Sequence, residues 1–357
     1  MKNKRDRYLK SSALYTLLAI VLGFIIGAIF LGVAGINPLT AYGKLIDGVF
    51  GKPKFMVWTL IYAAPLIFTG LSVAFSFRTG VFNIGAEGQF VVGALAACVV
   101  GALVKMPPVI HAIVCILVAA LAGFVWSYLV GLLKVKRGIH EVLSFIMFNW
   151  IAFYLSNYAV NTEVLHTEGN GEATKNVMDS ARILLPEGLR DILDCSSANW
   201  GFVLAVVVAV AIWIIIEKTT LGYKLKAVGF NKDAATYGGI NADASILTAL
   251  GISGALAGIG GAVQLLGMGA RISQFAGQEG FGFEGITVAL IGGSSPIGCI
   301  FAGIFYGAMK YGGAKLTMVG APEEVIDLIM GCVIIFIAIS QVFKALFKKM
   351  AKRKETK

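Results

Sequence analysis

Charge is scarce in this chain: Asp, Glu, Lys and Arg make up 14% of its 357 residues, against 57% hydrophobic residues and a mean hydropathy of +0.81. Soluble globular domains carry about a quarter charged residues. The balance here excludes such a domain and places the chain in a bilayer, where a charge inside the hydrocarbon costs several kcal/mol. The net charge of +10 is then no sign of nucleic acid, because the basic residues sit beside the ends of apolar runs, where they set orientation. Histidine is rare, with three residues, and the five cysteines lack metal-type spacing: Cys98, Cys115, Cys299 and Cys332 lie in apolar runs and Cys195 stands alone. No metal site is expected. No G-x-x-x-x-G-K-[ST] occurs, so the chain cannot cradle nucleotide phosphates by that route, and any ATP-driven work needs an ATPase on another chain. No H-E-x-x-H occurs either, since His140-Glu141 is not continued. Glycine, by contrast, is abundant at 44 residues, which in membrane helices favours close backbone approach and broken segments.

The apolar runs predict an all-α polytopic membrane protein. Runs over Ala13–Val33, Phe55–Phe77, Phe90–Val104, Val109–Leu133, Val142–Val160, Trp200–Ile216, Ala244–Met268, Ile300–Tyr311 and Val325–Val342 read as spans. The first is long enough to cross and lacks Ala-x-Ala-like cleavage chemistry, so it is expected to be an uncleaved span. The apolar core Ile286–Ile291 is too short to cross alone and predicts a half-helix or broken span. Counting it as one crossing gives about ten spans with both termini on one side. The arm before the first span, Arg78, Lys134–Glu141, Lys218–Asp243 and the tail from Lys344 all fall on that side and hold most of the lysine and arginine, so that side is expected to be cytoplasmic. The longest polar region, Asn161–Asn199, is acidic and is expected outside.

Two stretches carry more information than the rest. Thr219–Ile240 is polar and punctuated by glycine, with Thr219, Thr220 and Asn231 as capping types, Gly229 expected to end a first short helix in the left-handed region, and Gly238 and Gly239 closing a second. Two small helices joined by a kink, presenting Lys224, Lys226, Lys232 and Asp233 to water, suit docking into a partner's groove. The other is a pair: Gly85-Ala86-Glu87-Gly88 and Gly282-Phe283-Glu284-Gly285 each stand before an apolar run, one in each half, as expected of inverted repeats with broken helices. Polar side chains within the apolar segments, Asn83, Glu87, Gln89, Asn149, Gln264 and Glu284, are the candidates for lining a pathway. Trp58, Trp150, Phe82, Phe281 and Phe283 are candidates for stacking on a planar ligand. A plainer role in helix packing competes for each. Gly251-Ile252-Ser253-Gly254 resembles the serine motif of intramembrane proteases, but His111, His140 and His166 all precede Ser253, and packing by small residues explains GISGALAGIGGA better.

Four segments together, GVFNIGAEGQF, IHEVLSFIMFNW, LGYKLKAVGFNKDAATYGGI and GFEGITVALIGGSSPIG, resemble the permease subunits of ABC importers for nucleosides and simple sugars, within the branched-chain amino acid and ribose-type permease superfamily. The resemblance runs from about Trp58 to Ser340. It implies about ten helices built on inverted repeats, assembled with cytoplasmic ABC ATPase subunits that bind ATP and Mg, a second homologous permease and an external substrate-binding lipoprotein in a bacterial plasma membrane. It also implies a chain without covalent chemistry or a cofactor of its own. Thr219–Ile240 then corresponds to the region touching the ATPase, with Thr220, Gly222, Lys226, Ala227, Gly229, Asn231, Ala234, Ala235 and Gly238 as coupling residues. Lys232 departs from the family's frequent proline and Trp150 from its frequent tyrosine. The expected organisation is one permease domain over 1–357: a cytoplasmic arm (1–12), first repeat (55–162), external loop (163–198), cytoplasmic coupling region (218–243), second repeat (244–343) and basic tail (344–357). The expected cargo is a nucleoside, with a simple sugar as alternative. A proton-coupled secondary transporter using Glu87 or Glu284 is a third reading.

Overall fold

The computed structural model describes residues 12–167, 171–322, 324–337 and 339; the expected arm 1–12, but for its last residue, and the tail 344–357 lie outside them. Among the described residues nearly all regular structure is helical, and pairing of extended chain is limited to isolated bridges. In chain order the helices are α1 (Ser12–Val33), α2 (Pro38–Phe50), α3 (Pro53–Phe77), α4 (Ala86–Leu103), α5 (Ile110–Arg137), α6 (Glu141–Val160), the short α7 (Glu187–Ile192), α8 (Gly201–Lys218), α9 (Thr220–Phe230), α10 (Lys232–Tyr237), α11 (Ala242–Gln264), α12 (Phe281–Ile291), α13 (Pro296–Gly313) and α14 (residues 324–337).

Seven of these are long and apolar enough to cross a membrane: α1, α3, α4, α5, α6, α8 and α11 with its π-helical extension Leu265–Gly269. The expected count of about ten is not reached. At 11 residues α12 extends about 16 Å, half of a bilayer's hydrocarbon thickness. In α13 glycine, tyrosine and Lys310 dilute the apolar run, and the expected Val325–Val342 span is only partly described. A second difference is α2. The polar connection expected over Asn37–Lys54 is a capped helix, in which the Asn37 side chain accepts from the Leu39 N–H at 2.9 Å. Ala41, Leu45, Gly48 and Val49 form its buried face.

The chain forms two compact units. In the one containing α1 and α2 together with the chain after Gly307, the Tyr42 hydroxyl donates to the Phe24 carbonyl at 2.6 Å, and Gly23 and Gly27 of α1 admit Val333 and Ile329. The larger unit, Met56–Gly307, is organised around α11. A Cβ on Gly254 would strike the Gly123 backbone of α5, and one on Gly258 would strike Ala119. Gly93 of α4 approaches the backbone of Gly258 as closely. The glycines of GISGALAGIGGA therefore let three backbones meet, which is where van der Waals attraction in a membrane bundle is gained. The stretch 163–198 folds over one end of these helices instead of hanging free. Thr174 and Ile272 exchange backbone and side-chain hydrogen bonds at 2.8 and 3.0 Å, and the Val177 and Met178 N–H groups donate to Ala270 and Gly101.

Gly258→Val is expected to destabilise the detergent-solubilised protein by about 1–3 kcal/mol through overpacking, read as a lowered midpoint of thermal unfolding. Gly277→Ala, where no atom lies within 4 Å of an added Cβ, is expected to leave the midpoint unchanged.

Candidate functional site

Residues 78–85, between α3 and α4, are not helical, so their backbone groups need partners other than the i−4 carbonyl. Polar side chains supply them. Asn83, fully buried, exchanges two hydrogen bonds with the amide of Gln89 at 2.8 and 3.0 Å and accepts from the Gly85 N–H. Its Nδ2 also lies 2.7 Å from the Ser253 hydroxyl and 3.1 Å from that of Ser72, while Ser253 donates to the Ser72 carbonyl. Asn149 of α6 closes the same segment from the other side, accepting from the Gly88 N–H and donating to the Ile84 carbonyl. Ser72 and Ser253 were not among the pathway candidates; a hydroxyl inside an apolar run is the weak signal that marked them.

Glu87 completes the frame. With 1% of its surface exposed, it accepts from the Gly280 N–H at 2.8 Å and the Gly282 N–H at 2.7 Å, the first free donors of α12. A carboxylate is stabilised there by charge-assisted hydrogen bonds and by the positive end of the helix dipole. A Cβ on Gly282 would collide with the Glu87 backbone, and the Phe90 and Phe281 rings stack at 5.1 Å. The two Gly-x-Glu-Gly segments thus touch directly. Glu284 is half-buried on α12 and Gln264 half-buried at the end of α11; neither joins the Asn83 group in a hydrogen bond described here.

Trp150 stands apart from this frame. It is 45% exposed near the middle of α6, packs edge-on to Phe153 at 5.6 Å and stacks with Tyr154 at 6.1 Å. Tyr154 and Tyr158 continue the exposed face at helical spacing. Asn157 holds the Phe275 backbone by two hydrogen bonds, at 2.8 and 3.0 Å, and so keeps the Phe275 ring stacked near Phe153. Asn157 escaped the sequence reading because nothing local shows that its partner lies 118 residues away.

The stretch 219–240 forms the two short helices expected. Thr219 caps α9 by accepting from the Gly222 N–H, and Asn231 caps α10 by accepting from the Ala234 N–H. The expected left-handed stop at Gly229 is absent: α9 runs through it to Phe230, and Asn231, with extended backbone, both ends α9 and starts α10. Gly229 is needed instead for close approach, because a Cβ there would strike the Arg78 carbonyl. Gly222 likewise lies against the carbonyls of Ile215 and Ile216. Val228 and Ala235 anchor the elbow in a core with Val81, Val130, Phe145, Ile246 and Leu250, with Ala227 packed beside it. Lys226 pairs with Glu217 at 3.0 Å and Lys232 with Asp243 at 2.9 Å. Thr220, Ala234 and Gly238 remain exposed, as do the rings of Tyr223, Phe230 and Tyr237, the last two 89% and 97% exposed.

Ser253 is bound into the buried amide network, and the histidines are engaged elsewhere: His111 with Ser180, His140 with the Val142 N–H, His166 with the Val160 carbonyl. A bundle of apolar helices with broken segments and a solvent-facing elbow is a transport permease. The chain belongs to the family described as branched-chain amino acid transport system / permease component, whose model matches residues 55–338. It is 37% identical over 344 residues to the guanosine ABC transporter permease protein NupP of Bacillus subtilis (strain 168), covering 96% of this chain and 98% of that protein. It is 32% identical to the nucleoside ABC transporter permease protein NupB of Lactococcus lactis subsp. cremoris (strain MG1363), with 94% and 93% covered. It is 29% identical to the glucose ABC transporter permease protein TsgB13 of Haloferax volcanii, with 92% and 87% covered. No solved structure matches the chain significantly. The protein is therefore a non-catalytic, multi-pass membrane component of an ABC transporter, a family that implies ATPase partners.

Glu87→Ala is expected to cost about 3 kcal/mol or more, from two lost hydrogen bonds to a charged acceptor, and Glu87→Gln about half as much because one acceptor oxygen remains. Chemical denaturation in detergent, comparing the two variants with the parent, measures the difference.

Proposed function

We propose that this chain is one membrane half of a bacterial importer that carries nucleosides, driven by ATP bound with Mg on separate ATPase subunits. The partners are those ATPases on the cytoplasmic side, a second homologous permease, and an external lipoprotein that captures the cargo and delivers it to the outer face. Both termini and the elbow 218–243 are cytoplasmic in this reading, the loop 163–198 is external, and the two halves 55–162 and 244–343 are inverted repeats. The elbow's exposed Ala234, Asn231 and Gly238, with Phe230 and Tyr237, form the surface that the ATPase receives. ATP-driven closure of the ATPases moves the elbow and switches access to a cavity between the two permeases.

The observation that carries the nucleoside reading is the aromatic face of α6. The lipid-type faces of α5 and α8 expose Leu117, Leu121 and Val125, and Val203, Val207 and Ile214, whereas α6 exposes Trp150, Tyr154 and Tyr158. Aromatic belts sit at membrane interfaces, but Trp150 lies near the middle of its 20-residue helix. A planar base stacking on such rings gains about 1–3 kcal/mol. Full-length similarity to permeases named for guanosine and nucleosides points to the same cargo, and the glucose permease is a more distant match. Asn83, Glu87, Gln89 and Asn149 act in this reading by holding the broken helices that shape the pathway, with Glu284 and Gln264 beside it.

The test is ATP-dependent uptake of labelled guanosine by the assembled transporter in vesicles. Guanosine uptake that other nucleosides compete for, and glucose and ribose do not, is the expected result. Trp150→Ala is expected to raise the KM about tenfold with assembly intact. Uptake of a sugar in preference to any nucleoside would refute the assignment.

A further inference from the structure

One residue touches both the elbow and the short helix α12. The carbonyl of Arg78 lies directly under Gly229 of α9, at a distance that leaves no room for a side chain. The Nε–H of the same residue donates to the Ser294 carbonyl at 3.0 Å. Ser294 belongs to the turn that ends α12, where Gly293 and Ser294 both have positive φ, at 62° and 53°. Left-handed backbone costs a non-glycine residue about 1–2 kcal/mol, so this turn is held by its bonds: the Ser294 N–H donates to Ala289 at 2.7 Å, and its carbonyl accepts from Arg78. At its opposite end α12 is fixed by Glu87. The helix is therefore gripped at both ends by charged residues flanking the same connection, residues 78–87, and the elbow rests on one end of that connection. Glu217, which pairs with Lys226 of α9, also lies within Coulombic reach of Arg78.

We propose that Arg78 is a positioning residue that carries displacement of the elbow to α12, and so links ATP hydrolysis on the partner to the pathway. Its carbonyl bears on Gly229, and its Nε–H ties the same backbone to the end of a helix too short to span. The proposal rests on the reading that the elbow docks the ATPase. The direct contact accounts for a half-buried arginine whose hydrogen bond goes to a strained turn 216 residues away.

The test uses the complete transporter reconstituted in vesicles, and reads nucleoside transported per ATP hydrolysed. This ratio is insensitive to how much protein assembles. In Arg78→Met, which keeps chain length without a donor, the ratio is expected to fall at least tenfold while the ATPase still co-purifies. In Arg78→Gln the side-chain amide nitrogen stands as many bonds from Cβ as the arginine Nε, so the ratio is expected to stay within threefold of the parent. Equal loss in both variants, or an unchanged ratio in Arg78→Met, overturns the proposal. Should Arg78→Met fail to assemble, Arg78→Gln decides alone: a retained ratio supports the donor role and a tenfold loss refutes it. Ala234→Glu, on the exposed side of α10, separates this from the docking reading. It is expected to release the ATPase, and if it retains ATPase and coupling, the elbow assignment fails rather than the role of Arg78.

Discussion

A carboxylate sealed inside an apolar bundle has to be answered by donors, and the structure answers Glu87 with the free N–H groups at the start of a helix from the other half of the sequence. That single interaction sets the positions of α4 and α12 relative to each other. Because the two helix starts lie against one another, Gly282 has no room for a side chain, and the Phe90 and Phe281 rings stack beside it. The short α12 is then held without crossing the membrane itself. The buried amides follow from the same constraint. Chain that leaves the helical path inside a bundle exposes backbone donors and acceptors that water cannot satisfy, and Asn83, Gln89 and Asn149 satisfy them between α3, α4 and α6.

This gives the polar residues of an apolar chain two different tasks. Those with no exposed surface bind one another and the backbone, and they fix the shape of the broken segments. Those with exposed surface, the aromatic face of α6 and the outer side of α10, are free to meet something else. The fixed group joins the two free ones mechanically: Asn149 sits next to Trp150 on α6, and Arg78 lies between the elbow and α12. On the proposed function, a motion entering at α10 reaches the helix that carries the aromatic wall through hydrogen-bonded backbone, without passing through loosely packed lipid-facing side chains.

Much of this was legible in the sequence, for identifiable reasons. Apolar runs of about 20 residues can only be satisfied as helices in lipid, so most spans were placed within a few residues. The elbow was marked by capping residues whose side chains have a single local use, and Thr219 and Asn231 perform it. The paired Gly-x-Glu-Gly segments could be recognised as alike, although not that they touch. Other features depend on distant partners. A buried amide reads the same whether it faces another amide or a cargo, so Asn83 and Gln89 could not be separated from Trp150 by type alone. Gly229 was assigned to a turn because local rules know glycine's φ but not the carbonyl lying opposite. Helix α2 was hidden because Lys44 and Asp47 interrupt the run, although Ala41, Leu45 and Val49 share one face. The span count was too high because a helix held by its ends, such as α12, does not need to cross.

The central claim is that the chain moves its cargo with energy supplied by another subunit. The most direct measurement is nucleoside accumulation in sealed vesicles containing the purified chain, with and without its ATPase partners and second permease, with the proton gradient collapsed throughout one set. The account predicts uphill accumulation only in the complete assembly with ATP on the ATPase side, unaffected by collapse of the gradient. Accumulation by the chain alone, driven by a proton gradient and independent of ATP, would contradict it.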